Sequence, residues 1–245
     1  MSVTTHPKVS TFPEPMAGDF AFTDAHQAEA QKHLAKYPSD RKQSAVLPLL
    51  WIAQRQNGGY LTRESIEYVA KVLEMAPIRV HEVAHFYSMF NHKPVGKYFV
   101  QVCRTTPCWL RGADDIAHTV AAKLGVEPGE VTEDGVFSWR FVECLGACCN
   151  APMVQINDDY YEDLTAESLA KLLDDLRAGR DVAMGSQRGR VGSEPEHDAR
   201  PLAEVGAAGH PDYPFAGGAE VEPAAVRQAR EAAEAEGADT TGGGQ

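Results

Sequence analysis

The hydrophobic pattern of this chain changes period once, near residue 97. Before that point four stretches read as helices. Asp24 to Tyr37 follows Thr23, a good capping residue, and ends before Pro38; the next begins at Asp40 and stops at Asn57-Gly58-Gly59, a strong C-terminal signal. Pro48 lies inside that second stretch, where it removes a hydrogen bond and crowds the preceding turn, which predicts a kink. Thr62 caps a third helix running to about Met75. Pro77 fits the first turn of a fourth, ending near Asn91, with Val80, Val83, Ala84, Tyr87 and Phe90 near one face.

Beyond residue 97, β-branched and aromatic runs alternate with helical ones. The order is a strand at Tyr98 to Val102, a helix at Cys108 to Leu124 closed by Gly125, a strand at Phe137 to Cys144, strands at Met153 to Asn157 and Tyr160 to Glu162, and a helix at Ala166 to Ala178 closed by Gly179. Thr165 caps the last helix, and Asp158-Asp159 makes the final two strands a hairpin. Strand, helix, antiparallel hairpin and helix is the order of a thioredoxin-like α/β sandwich. The expected class is therefore α+β, with an N-terminal helical domain at 1–96, a thioredoxin-like domain at 97–180 and a tail at 181–245.

Composition changes the picture mainly in that tail. It holds 11 of the 21 glycines, two aromatics (Tyr213 and Phe215), and twelve acidic against five basic residues. Such a segment buries too little apolar surface to offset its ordering entropy, so most of it is expected to be disordered until bound, with one short helix at Ala224 to Ala235. The net charge of −12 argues against a nucleic-acid partner, whose phosphates demand a basic footprint. No stretch approaches the roughly 18 apolar residues of a membrane span, and the first residues carry neither an apolar signal core nor an Arg-rich transit helix. A soluble, untargeted protein is expected. Five cysteines without an export signal make a disulfide framework improbable.

Four of those cysteines fall in two tight pairs, Cys103-x4-Cys108 and Cys144-x3-Cys148, each on the loop after a predicted strand. If the two strands are neighbours in one sheet, both loops leave the same edge and four thiolates converge there. Such a set suits an iron–sulfur cluster or a structural zinc, and spacing alone leaves both open. A dithiol redox role is weaker, since no two cysteines stand in CxxC spacing. Thr106 and Pro107 read as the cap and first position of a helix, which places Cys108 in the first turn, where free N–H groups and the helix dipole favour a thiolate. A 2Fe-2S centre with four thiolates carries a formal charge of roughly −2 oxidised and about −3 reduced, and needs donors. The compact Leu145-Gly146-Ala147 backbone and Arg104, Arg111 and Arg140 are the candidates. Cys149 directly follows Cys148, and adjacent residues do not easily point at one site, so it reads as a small buried side chain.

The stretch Lys93-Pro94-Val95-Gly96-Lys97-Tyr98, then Val102-Cys103-Arg104-Thr105-Thr106-Pro107-Cys108, then Glu143-Cys144-Leu145-Gly146-Ala147-Cys148, and on through Asn150-Ala151-Pro152-Met153 to Tyr160-Tyr161-Glu162-Asp163-Leu164-Thr165 resembles the NuoE-type small 2Fe-2S subunit of respiratory complex I, NADH:quinone oxidoreductase. The similarity extends upstream through Ala45-Val46-Leu47-Pro48 and Ala53-Gln54-Arg55-Gln56-Asn57-Gly58, and covers about residues 20 to 190. It implies a thioredoxin-like ferredoxin domain behind a helical domain, docked on the flavin- and NADH-binding subunit beside neighbouring iron–sulfur subunits of the peripheral arm. Cys103, Cys108, Cys144 and Cys148 fall on the family's four cluster positions, and Cys149 outside them. One 2Fe-2S cluster would exchange single electrons with the flavin; FMN and NADH would lie in the partner, leaving this chain no substrate site and no catalytic residue. The resemblance also implies a peripheral place on the cytoplasmic side of the inner membrane, with membrane contact only through the complex. The small subunit of an NAD-dependent formate dehydrogenase or hydrogenase shares both loops, and a structural-zinc interaction module is the reading from another class.

His81-Glu82-Val83-Ala84-His85 matches the HExxH zinc-protease pattern, with helical spacing that puts both histidines on one face. An extended pattern would need glycine at position 88 and histidine at position 91, where Ser88 and Asn91 stand, with His92 one place off. No acidic residue lies between Glu82 and Asp114 to complete a site. The expectation is a packing helix, not a protease.

Overall fold

The computed structural model describes residues 19–190 and 192–193. The helices α1 (Asp24–Leu34), α2 (Val46–Gln56), α3 (Arg63–Leu73) and α4 (Pro77–Phe86) come first. α3 shows the local logic best. Thr62 and Ser65 form a reciprocal capping box, and Ile66, Val69, Ala70 and Leu73 recur at helical spacing and are all buried. They meet Leu49, Leu50, Ile52 and Ala53 of α2 and Val80 and Ala84 of α4 in one apolar core. Phe20, Phe22 and Tyr68 close it with edge-to-face ring contacts at 5.1 to 5.8 Å.

Two helical expectations are corrected. The second helix starts at Val46, after a 3-10 segment at Ser39–Ala45 whose Arg41 is non-helical (φ −126°). Pro48 therefore falls in the first turn of α2, where its missing N–H has no intrahelical acceptor to lose, and the chain bends before the proline instead of at it. The fourth helix ends at Phe86, not near Asn91, because buried side-chain amides serve the following backbone. Gln54 accepts from the Asn91 N–H (2.7 Å) and donates to the Met89 carbonyl (3.2 Å), while Asn91 donates to the Gly59 carbonyl (2.9 Å). Phe90 then turns into the helical core, and Phe86 is left 80% exposed.

The second half is a five-stranded sheet in the order β2-β1-β3-β4-β5, from β1 (Tyr98–Cys103), β2 (Phe137–Val142), β3 (Val154–Ile156), β4 (Asp159–Glu162) and β5 (Gly185–Ser186). β1 and β2 are parallel, in register from Tyr98↔Phe137 to Cys103↔Val142; β3 runs antiparallel to both β1 and β4, and β5 is parallel to β4. Between β1 and β2 lie α5 (Thr106–Leu110) and α6 (Ala113–Leu124), and α7 (Ala166–Arg177) follows β4. Ile116 and Val120 of α6 and Leu169, Leu172, Leu173 and Leu176 of α7 pack on Val100, Val102, Phe137, Trp139, Val154 and Ile156. Each such leucine contributes about 1.5–3 kcal/mol by burial. The other face meets the helical segment: Arg140 lies 5.0 Å over the Phe99 ring and donates to the Ser88 carbonyl at 2.6 Å. The single helix expected at Cys108 to Leu124 is two, since Gly112 takes φ +98° and breaks it. The strand expected to reach Cys144 ends at Val142.

The chain does not leave the sheet at Asp181. β5 pairs with β4, and Arg190 then reaches back to Asp163, whose side chain is only 3% exposed, through Nε (2.9 Å) and Nη2 (2.5 Å). The same guanidinium donates to Asn150 Oδ1 (2.7 Å) and the Cys149 carbonyl (3.1 Å). No alternation marks a two-residue strand, so this edge was not legible in the sequence. The segment expected at Ala224 to Ala235, with Tyr213 and Phe215, lies outside the described residues. Among the described residues no helix is long and apolar enough to cross a membrane.

Burial would raise the Asp163 carboxyl, but the Arg190 and Ser186 hydrogen bonds and the nearby arginine charges hold it below the ordinary carboxylate range. A depressed acid stabilises the fold above its unfolded pKa, and that stabilisation is lost as pH falls through the lowered folded value. Arg190→Met should therefore cost about 3–5 kcal/mol at pH 7, because it strands a buried carboxylate, and much less at pH 3. Denaturant unfolding at the two pH values checks this; an equal deficit at both would mean that Arg190 acts through packing alone.

Candidate metal centre

Parallel pairing sends the loops after β1 and β2 off the same end of the sheet. β1 closes at Cys103, which is buried, and α5 begins three residues on. Its cap is Thr105, not Thr106 as the sequence suggested; Thr106 and Pro107 are the first two helical residues, and Cys108 is buried in the first turn. The second loop turns at Gly146 (φ +87°), with Cys144 before it, and enters a 3-10 turn at Cys148–Asn150. Cys144 and Cys148 stand with their sulfurs 3.4 Å apart, and Cys103 and Cys108 are hydrogen-bonded to each other. Thr105 stands by both pairs: its hydroxyl is 3.3 Å from Cys103 Sγ and also hydrogen-bonds Cys144.

Around Cys103 and Cys108 the packing is apolar. Ala113, Ala151 and Met153 are buried against them, with Leu145, Ala147 and Tyr160 partly so. The Tyr160 hydroxyl donates to the Leu145 carbonyl at 2.8 Å and pins the second loop. Arg190 pins its far end, by way of the Cys149 carbonyl and Asn150.

Four sulfurs this close cannot all be charged, and the surroundings choose between them. Burial would raise Cys103, but hydrogen bonds from the Thr105 hydroxyl and N–H, from Cys108 and from the Leu145 N–H outweigh it, and the net shift is downward. Burial, followed by the proton shared with Cys103 and the charge there, pushes Cys108 up to about 12. Cys144 is lowered, first by the Gly146 N–H (3.4 Å), then by Cys148 and Thr105, whereas Cys148 is raised by its bond to Cys144. Each pair thus holds one proton between two sulfurs. This reverses the expectation for Cys108: α5 has five residues, and its short dipole does not outweigh burial and a neighbouring thiolate.

The other sequence candidates divide clearly. Cys149 is exposed, not buried as expected: a 3-10 turn rotates successive side chains by about 120°, so Cys148 facing in leaves Cys149 facing out. Arg104 is engaged by Asp114 at 3.5 Å and lies 4.6 Å over Phe141, while Arg140 is held by Ser88 and Phe99; the hydroxyl of Thr105 was not singled out in the sequence. Nothing in the composition separates it from Thr106. The Leu145 and Gly146 N–H groups do bear on sulfur, as the compact segment suggested.

His81 and His85 share the outer face of α4. His85 stacks on His92 at 3.9 Å with the rings 12° apart, a parallel arrangement that does not converge nitrogens on one point, and Glu82 is paired with Arg79. Among the described residues no group of three or more His, Cys, Asp or Glu could hold a single metal ion. The cysteines come instead as two pairs, the division that two irons require.

A thioredoxin-like sheet with two cysteine pairs at one end defines the class. The chain belongs to the thioredoxin-like 2Fe-2S ferredoxin family, whose description matches residues 30–177, and within it to the NuoE type. It is 58% identical over 159 residues, 65% of this chain and 95% of the relative, to the NuoE-type subunit of NADH-quinone oxidoreductase from Rickettsia bellii. It is 48% identical over 175 residues, 71% of each chain, to NADH dehydrogenase (ubiquinone) flavoprotein 2, mitochondrial, of Dictyostelium discoideum. Among solved structures, an NAD+-reducing NiFe-hydrogenase in the H2-reduced state overlays with a TM-score of 0.49 at 20% identity, covering 54% of this chain and 22% of that one.

The histidine geometry carries a prediction. His81→Ala with His85→Ala should leave iron content unchanged and remove no stoichiometric zinc, with a stability loss of order 1 kcal/mol from packing. One zinc per chain that disappears in this variant, by elemental analysis, would make α4 a metal site after all.

Proposed function

We propose that Cys103, Cys108, Cys144 and Cys148 hold one 2Fe-2S cluster and that the chain is an electron-transfer subunit of NADH-quinone oxidoreductase. The observation that carries the reading is the division of the sulfurs into two pairs on loops from adjacent parallel strands, one pair buried and one toward the surface. The donor set fits the group: soft thiolates, apolar packing that limits water, and backbone N–H groups on sulfur. When bound, the cluster supplies one-electron iron redox. The chain's own residues fix the two loops, donate hydrogen bonds to sulfur and leave one side of the site open.

In this reading the electron partner is the flavin of an NADH-binding subunit, and both FMN and NADH lie in that partner. What supports it is the kinship with subunits of NADH-quinone oxidoreductases, together with the surface beside the loops. Trp109 is 55% and Leu110 71% exposed, and Phe141 is half-exposed under Arg104; large apolar side chains grouped around a site suit burial by another subunit. The chain then sits peripherally, on the cytoplasmic side of the inner membrane, through the complex.

Alanine at Cys103, Cys108, Cys144 or Cys148 should each abolish or severely destabilise the cluster, whereas Cys149→Ala leaves it largely intact. Visible absorption of the purified chain is the readout. A Cys149 variant that loses its colour beside a Cys148 variant that keeps it would exchange the two in the ligand set. Retention of colour in any of the other three would remove that residue from it.

A further inference from the structure

Among the described residues, four helices begin with a threonine cap, and they provide an internal comparison. Thr23, Thr62 and Thr165 each accept a hydrogen bond from a backbone N–H of the first turn, which is the ordinary work of that residue type. Thr105 has the same extended backbone (φ −74°, ψ 165°) at the start of α5, yet makes no side-chain cap bond. Its hydroxyl is turned instead to Cys103 Sγ, at 3.3 Å, and also reaches Cys144 of the other pair. A cap bond withheld from the helix and given to sulfur points to a role at the site.

We propose that Thr105 is a positioning residue for the cluster, its hydroxyl donating to Cys103 Sγ and raising the reduction potential. The inference rests on the reading that the four cysteines hold a 2Fe-2S group. A cluster-bound sulfur is an acceptor only, so the hydroxyl must be the donor. A hydrogen bond to a charged acceptor strengthens as negative charge grows, and one-electron reduction adds a charge. The bond therefore stabilises the reduced state more than the oxidised one. The potential of the bound cluster then depends on a neutral side chain that belongs to neither ligand pair.

The test is an EPR-monitored redox titration of the full chain carrying its cluster, for wild type, Thr105→Val, Thr105→Ser and the control Thr106→Val. Valine keeps the β-branched shape and the extended backbone while removing the hydroxyl. The expected result is a roughly tenfold shift of the reduction equilibrium toward the oxidised form in Thr105→Val, about 59 mV to lower potential for one electron. Thr105→Ser and Thr106→Val should stay near wild type. Should Thr105→Val fail to load, Thr105→Ala replaces it; loss of the cluster in both hydroxyl-free variants but not in the serine variant likewise requires the hydroxyl. An unchanged potential in a loaded Thr105→Val, or equal loss in the serine variant, overturns the proposal. Absence of iron from the wild-type chain would instead sink the underlying cluster reading.

Discussion

Parallel pairing of β1 with β2, held in register over six residues from Tyr98↔Phe137 to Cys103↔Val142, is the constraint on which the site depends. Parallel neighbours need a crossover, and here α5 and α6 supply it. Because both strands point the same way, the turns that follow them leave one end of the sheet, bringing together cysteines some forty residues apart in sequence. An antiparallel pairing would put the two loops at opposite ends. The apolar face beneath fixes the register: a slip of one residue would expose Val100 and Val102 and bury Gln101 in their place.

Buried polar groups then hold the irregular segments that the sheet alone cannot. Gln54 and Asn91 satisfy the backbone where α4 stops, and Asp163 with Arg190 ties β5 and the end of the described chain to the Cys148 turn. In the absence of metal, each sulfur pair shares a proton, and burial and hydrogen bonding decide which sulfur keeps it. Iron must displace those protons, so the thiolate-favouring donors around Cys103 and Cys144 are part of how the chain is prepared for metal.

Much of this was legible in the sequence, because the strongest signals were local. Thr62 and Thr165 mark helix starts as capping threonines do, Gly125 a helix end, and the β-branched run before Cys103 reads directly as a strand. Failures arose where tertiary contacts override local preference. The periodicity through Phe90 continued a helix that Gln54 ends, and Pro48 looked like an interruption because the preceding 3-10 segment has ordinary helical composition. Gly112 could have been read as a break in the helix after Cys108. At the site, cysteine spacing found the two pairs, but the exposure of Cys149, the reversed balance between Cys103 and Cys108, and the turning of Thr105 to sulfur depend on three-dimensional packing.

The central claim is that these four cysteines form one two-iron site. Iron, acid-labile sulfide and zinc measured together on the anaerobically purified full chain, with an EPR spectrum after reduction, test it most directly. The account predicts iron and sulfide in equal amounts, with a reduced-state signal and negligible zinc; a colourless chain carrying zinc and no sulfide would contradict it.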